Sequence, residues 1–174
     1  MKEFWQVVVD EINKNLKSIK TKAYGEIFDY IVKAKNLFVY GQGRSGLIAE
    51  AFAMRLKQLG LNVFIVGLPD TPAITKNDLL IAITCSGETK LTIDIIEEAR
   101  QYGARTIVIT SSKENTAARI ADYALIIKAK PSKQPLNSLF EQSTFLFLDS
   151  LILFLMKKLK VDEGFMKKHH ANLE

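Results

Sequence analysis

Cysteine is almost missing from this chain. Cys85 stands alone among 174 residues, so no intramolecular disulfide can form. The two histidines, adjacent at His169 and His170, have no cysteine cluster with which to build zinc-ligand spacing, and no metal is expected. A reducing compartment suits such a composition, and a cytoplasmic location is expected. A secretory leader is also lacking: Met1-Lys2-Glu3 runs towards Asp10-Glu11 without the basic head, apolar centre and small-residue cleavage site that export requires. The longest apolar stretch, 145–156, is interrupted by Asp149 and Ser150 and is shorter than the roughly 20 residues of a membrane span. It reads as a buried helix, and no membrane partner is expected. Internal repeats, low-complexity tracts and linkers are missing too, so 1–174 reads as one domain, with 130–135 a connecting loop.

What the chain does have is a formal charge of +5 and 48% hydrophobic residues, enough apolar material to bury a core without metal or disulfide. The basic residues cluster only at Lys157-Lys158-Leu159-Lys160 and Lys167-Lys168, without interleaved aromatics or glycines. These read as solvated helix faces, and nucleic acid is not an expected partner.

Five runs rich in branched residues, 37–40, 62–66, 79–84, 106–110 and 124–127, alternate with helical patterns at 45–59, 89–102 and 114–121. That alternation predicts a doubly wound α/β core, a five-stranded parallel sheet flanked by helices. Gly60 and Gly103 fall where helix C-terminal glycines belong. One or two amphipathic helices precede the core, with Phe4, Val8, Ile12, Leu16 and Ile19 spaced for one face, followed by Ile27, Ile31 and Ala34. A long helix, 138–159, follows it. Its centre is apolar nearly all round, which predicts association between subunits.

Ligands of such sheets bind outside the carboxyl ends of the strands. Three loops there carry glycine or hydroxyl. The first, Gly41-Gln42-Gly43-Arg44-Ser45-Gly46, has the spacing of a dinucleotide fingerprint, but the next strand runs into Gly67-Leu68-Pro69 instead of ending on an acid for the ribose, and Asp70 comes late. A phosphate-binding Walker pattern is missing altogether. The second, Thr84-Cys85-Ser86-Gly87-Glu88-Thr89, sets hydroxyls around a glycine at the start of a helix, which suits a phosphate monoester. Its plainer alternative is a helix cap, with Ser86 at the N-cap and Thr89 at N3. The third, Thr110-Ser111-Ser112, repeats the theme, with Ser112 an ordinary N-cap candidate.

Taken in order, Gly41-x-Gly43-Arg44-Ser45-Gly46, Thr84-Cys85-Ser86-Gly87-Glu88-Thr89 and Asn115-Thr116-Ala117-Ala118-Arg119-Ile120-Ala121-Asp122 resemble the sugar isomerase (SIS) domain that binds phosphosugars. Ala53-Met54-Arg55-Leu56, Leu139-Phe140-Glu141 and the tail His170-Ala171-Asn172-Leu173-Glu174 resemble the 6-phospho-3-hexuloisomerase branch of that family. Thr84 and Cys85 stand where the family usually has serine and glycine. The resemblance implies a flavodoxin-like three-layer sandwich and the interconversion of arabino-3-hexulose 6-phosphate and fructose 6-phosphate through a cis-enediol. In its terms no cofactor is needed, Ser45, Ser86 and Thr89 hold the phosphate, and Gly43, Arg44, Thr84, Gly87, Glu88 and Ser111 complete the substrate site. Glu141 moves the proton, and His170 helps to open the ring or protonates an oxygen. A homotetramer in the ribulose monophosphate pathway, functionally coupled to a hexulose-phosphate synthase, is implied as well. Several alternatives remain open on the residues themselves. Ser138-Leu139-Phe140-Glu141 fits a capping box, His170 fits a solvated histidine near a chain end, and Arg44 and Arg55 suit acids across an interface as well as a phosphate. An isomerase of another sugar phosphate and a phosphosugar-sensing regulatory module are the competing functions.

Overall fold

A computed structural model describes residues 3–172. Two amphipathic helices open it, α1 (Phe4–Lys17) and α2 (Lys22–Lys33), burying Ile12 from the first and Ala23, Ile27 and Ile31 from the second. Phe4 departs from the expected inner face and is 90% exposed, because the buried stripe of α1 begins only at Ile12.

The sheet then forms from β1 (Leu37–Gly41), β2 (Val63–Ile65), β3 (Leu79–Ile83), β4 (Arg105–Thr110) and β5 (Tyr123–Ile126), all parallel in the order β2-β1-β3-β4-β5. Its three inner strands, β1, β3 and β4, are buried on both faces and therefore read as continuous apolar runs. Side chains alternate between two cores. Leu37, Val39, Leu79, Ile81, Ile107 and Ile109 face α2, α3 (Arg44–Gln58) and α6 (Ser138–Leu159), whereas Phe38, Tyr40, Leu80, Ala82 and Val108 face α4 (Lys90–Gln101) and α5 (Thr116–Ile120). The three-layer, doubly wound sandwich expected from the pattern is the observed architecture.

Two details position the site. Leu37 to Gly41 pair in register with Leu79 to Ile83, so β1 and β3 end side by side at the carboxyl edge. After β1 the chain crosses to one face of the sheet through α3, and after β3 to the other through α4. The crevice between β1 and β3 is therefore the topological switch point, where doubly wound sheets hold ligands.

Both crossover helices stop on glycine as expected. Gly60 (φ +81°) and Gly103 (φ +77°) each close a Schellman pair, with Gly60 N donating to Lys57 O at 2.8 Å and Leu61 N to Leu56 O at 3.2 Å in the first. The long helix α6 spans 22 residues and is long and apolar enough to cross a membrane by length and composition alone. Here Phe140, Phe147, Leu151 and Leu155 are buried and seal one core of the sheet. A short helix that periodicity did not reveal, α7 (Glu163–Lys168), follows it. Its local signal was Asp162, whose side chain accepts from Phe165 N at 2.7 Å as the N-cap.

Asp122 fastens β5 to the start of β4. Its carboxylate accepts from the Thr106 amide at 2.8 Å, the Thr106 hydroxyl at 2.9 Å and Arg105 at 3.1 Å. Burial pushes its pKa up, but those donors outweigh burial and leave it below the ordinary carboxylate value. A depressed native pKa contributes stability that is present above about pH 4 and lost as pH falls further. Asp122→Asn, which turns an NH2 towards these donors, is expected to cost about 1–3 kcal/mol at pH 7. The deficit should narrow below about pH 4, and urea unfolding at both pH values measures it.

Candidate active site

At the end of β1 the backbone of the strand and the start of α3 almost touch. A Cβ on Gly41 would lie 2.6 Å from the Ser45 carbonyl oxygen, so only glycine lets the helix begin there. Gly43, at φ +57°, is the N-cap, and Arg44 and Ser45 open the helix. The loop after β3 is pinned just as closely. Thr84 N donates to Ile109 O at 3.0 Å, and the Thr84 hydroxyl accepts from Gly87 N at 3.2 Å. Gly87, at φ +67°, packs on Asn115, whose Cγ would sit 2.0 Å from an added Cβ. Asn115 is itself held, donating to the Thr110 hydroxyl at 2.8 Å and capping α5 by accepting from Ala118 N at 2.9 Å.

Between these two loops lies a cavity of ≈ 160 Å³. Arg44, Ser45, Thr84, Ser86, Thr89 and Glu141 all line it, six residues from three distant parts of the chain. Glu141 arrives on the first turn of α6, and its carboxylate accepts from Arg44 Nε across 97 positions of sequence. The pair is asymmetric: the Glu141 side chain is 13% exposed and the Arg44 side chain 65%. A second hollow of ≈ 240 Å³, lined by Leu47, Gln142 and Phe145, shares Arg44 and Glu141 with the first. The ion pair thus sits where the two spaces meet. Among the described residues no three His, Cys, Asp or Glu side chains converge as a metal site.

The capping readings change on inspection. Helix α6 has Asn137 as its N-cap, one residue before Ser138, so the capping box does not form and the Glu141 carboxylate holds Arg44 instead of an orphan amide. Likewise α4 begins at Lys90 with Thr89 as N-cap, and the Ser86 hydroxyl accepts from Glu88 N at 3.2 Å in a local turn. Asn115, not Ser112, caps α5.

Five predicted site residues, Gly43, Gly87, Glu88, Ser111 and His170, lie outside the lining of the cavity. Glu88 turns to the start of α5, accepting from Thr116 N and the Thr116 hydroxyl, both at 2.8 Å, and the backbone donor lowers its pKa. The Ser111 hydroxyl donates to Cys85 O at 2.7 Å, which braces the second loop from behind. Gly87 shapes that loop through its backbone. His170 lines a different groove, ≈ 720 Å³, with Arg55, Asp149 and Met166. Its neighbour His169 stacks on Phe165 at 4.3 Å. Gly43 contributes as the cap of α3 rather than through a side chain.

Gln42, Cys85, Thr92 and Asn137 line the cavity without having been singled out as site residues. Asn137 was discoverable as the residue before a predicted helix. Gln42, which donates to the Tyr40 hydroxyl, carried no local signal beyond its place in the first loop. Burial raises the Cys85 thiol pKa, against a hydrogen bond from Ser111 and together with the Glu141 charge, so the thiol stays protonated near neutrality.

Known proteins share the sequence pattern and the fold. The SIS domain pattern matches residues 30–153, from the end of α2 through most of α6. A Bacillus subtilis protein named 3-hexulose-6-phosphate isomerase is 35% identical, covering 99% of this chain and 98% of its own length. A Methanocaldococcus jannaschii protein of the same name is 38% identical over 84% of this chain and 82% of its own. A crystal structure from Methanococcus jannaschii, for which a function of 3-hexulose-6-phosphate isomerase was inferred, superposes with a TM-score of 0.91 at 35% identity, covering 98% of each chain. With its family pattern lying across both phosphate-type loops and the helix that carries Glu141, this chain belongs to the SIS domain family.

Proposed function

We propose that this protein is a phosphosugar isomerase that interconverts D-arabino-3-hexulose 6-phosphate and fructose 6-phosphate. The observation that carries the reading is the meeting of Ser45, Ser86 and Thr89 with Glu141 in one cavity at the switch point of the sheet. The names of the relatives that span nearly the whole chain support it.

The phosphate sits among the hydroxyls of Ser45, Ser86 and Thr89, facing the N-termini of α3 and α4, where helix dipoles favour a dianion. The sugar then runs towards the second hollow and passes Glu141 at the junction. In the 3-keto substrate C2 carries a hydrogen and a hydroxyl. Glu141 removes the C2 proton, the electron pair forms the C2–C3 double bond, and the C3 oxygen takes a proton to give the cis-enediol. Glu141 then returns its proton to C3 while the C2 hydroxyl gives up its own and becomes the carbonyl. The proton that the C3 oxygen takes comes from solvent and is matched by the one that the C2 hydroxyl gives back, so the conversion is balanced with no net oxidation and needs no redox cofactor. Arg44 orients the carboxylate through their ion pair, and its exposed end is placed to meet substrate oxygens.

The remaining parts of the reading concern assembly. Leu47 and Met54 on α3 and Phe145, Leu146 and Leu153 on α6 are exposed apolar residues on two helices that pack together, forming an apolar flank in which Leu153 is 69% exposed. We assign this flank to subunit contacts in a homotetramer. A role for His170 in opening the ring calls for a neighbouring copy to bring that residue to the cavity. A cytoplasmic setting and functional coupling to a synthase that makes the hexulose phosphate belong to the same reading.

Three outcomes are expected. Glu141→Gln should lower turnover by about 10²- to 10⁴-fold while fructose 6-phosphate binding survives, since the amide cannot take a proton; proton exchange on fructose 6-phosphate, followed by NMR, reads turnover. A variant that stays active would remove Glu141 as the base. Ser45→Ala with Ser86→Ala should weaken fructose 6-phosphate binding by about 1.5–3 kcal/mol for each lost bond to the dianion, and unchanged affinity in calorimetry of the folded variant would displace the phosphate site. Leu153→Glu should shift sedimentation towards the 19.6 kDa monomer. Wild-type protein that already sediments as a monomer would refute the assembly.

A further inference from the structure

We infer that Thr92 is a further ligand of the substrate phosphate, an inference that rests on the phosphosugar reading and adds one specific hydroxyl to it. Thr92 is the third residue of α4 and lies on its inner face with Ile96, where it is 0% exposed. Its Oγ1 is buried and has no hydrogen-bond partner among the described residues, not even the carbonyl one turn back that a helical threonine commonly uses. A buried hydroxyl without a partner is destabilising, and native chains pair nearly all of them. One left unpaired on the wall of a ligand cavity points to a partner that arrives with the ligand.

Place separates Thr92 from the other orphans. Gln142 Oε1 and Thr144 Oγ1 are also buried and unpaired, but Gln142 lines the second hollow, on the sugar side of Glu141, and Thr144 lines neither space, whereas Thr92 lines the cavity between the two loops. The surroundings identify the partner. Thr89, the N-cap of α4, makes no side-chain cap bond, so no side chain covers the first-turn amides of that helix. Ser45, Ser86, Thr89 and Thr92 then present four hydroxyls beside the positive ends of two helix dipoles. A phosphate dianion offers acceptors only and matches such a set. Helical threonine populates two χ1 wells, so Oγ1 can swing towards the anion without moving the helix.

The test compares wild type with Thr92→Val, which keeps the shape and removes the hydroxyl, and with Thr92→Ser, which restores it. Binding of fructose 6-phosphate and of inorganic phosphate alone is measured by calorimetry, and thermal unfolding is followed without ligand. The valine variant is expected to bind both ligands about 10- to 100-fold more weakly, the loss of one hydrogen bond to a charged group, and to melt no lower than wild type when unliganded. The serine variant should recover most of the affinity. Where the valine variant folds poorly, Thr92→Ala carries the same comparison. Equal affinity for both ligands would overturn the inference, as would a lowered unliganded melting temperature with affinity intact, which marks a structural hydroxyl. Loss confined to fructose 6-phosphate would place the hydroxyl on the sugar and overturn the assignment to phosphate. Wild-type protein that binds neither ligand would bring down the phosphosugar reading itself, and this inference with it.

Discussion

Everything at the site depends on the contact between the end of β1 and the first turn of α3, where Gly41 and Ser45 meet with no room for a side chain. In a parallel sheet each strand must leave by the same edge, so each following helix begins at that edge with its unpaired amides pointing outwards. Because the chain crosses to opposite faces after β1 and β3, α3 and α4 start on either side of one crevice instead of side by side on one face. Hydroxyls and helix dipoles then converge from two directions, and a small anion is the natural occupant. The second loop meets the same constraint at Gly87 and Asn115, where a glycine with positive φ lets the loop rest on the cap of α5.

Helix α6 joins stability to chemistry. Phe140, Phe147, Leu151 and Leu155 bury one side of it against the sheet, and that packing sets the rotation of the helix about its axis. Glu141, next to Phe140, is carried by that rotation to the rim of the crevice, where Arg44 receives it. The carboxylate is thus held from two sides, by a hydrophobic seam along its own helix and by a cation from the first loop. A carboxylate held this way keeps its geometry when a ligand displaces water, which suits the proton transfer proposed for it.

Local patterns carried a good deal of this. Strand positions, the bounds of α6 and the glycines that end α3 and α4 all follow from periodicities and stop signals that act within a few residues. Cap assignments fared worse. Ser138-Leu139-Phe140-Glu141 satisfies the capping box as a string, but the helix starts one residue earlier, and one residue turns Glu141 from a cap into a partner of Arg44. Ser86 and Ser112 failed as caps for the opposite reason, since α4 and α5 start later in the chain, with Thr89 and Asn115 as their N-caps.

By itself the amino-acid order determined which segments are strands and helices, that the sheet is parallel, and that two glycine and hydroxyl loops lie at its ligand-binding edge. These features rest on short-range sterics and on which faces are apolar. Only the tertiary structure decided which polar groups share the cavity. It brought Glu141 to Arg44, turned Glu88 to Thr116, gave the Ser111 hydroxyl to the Cys85 carbonyl, and left Thr92 buried and unpaired. A side chain with several possible partners chooses among them by distance and burial, and neither exists until the helices have packed on the sheet.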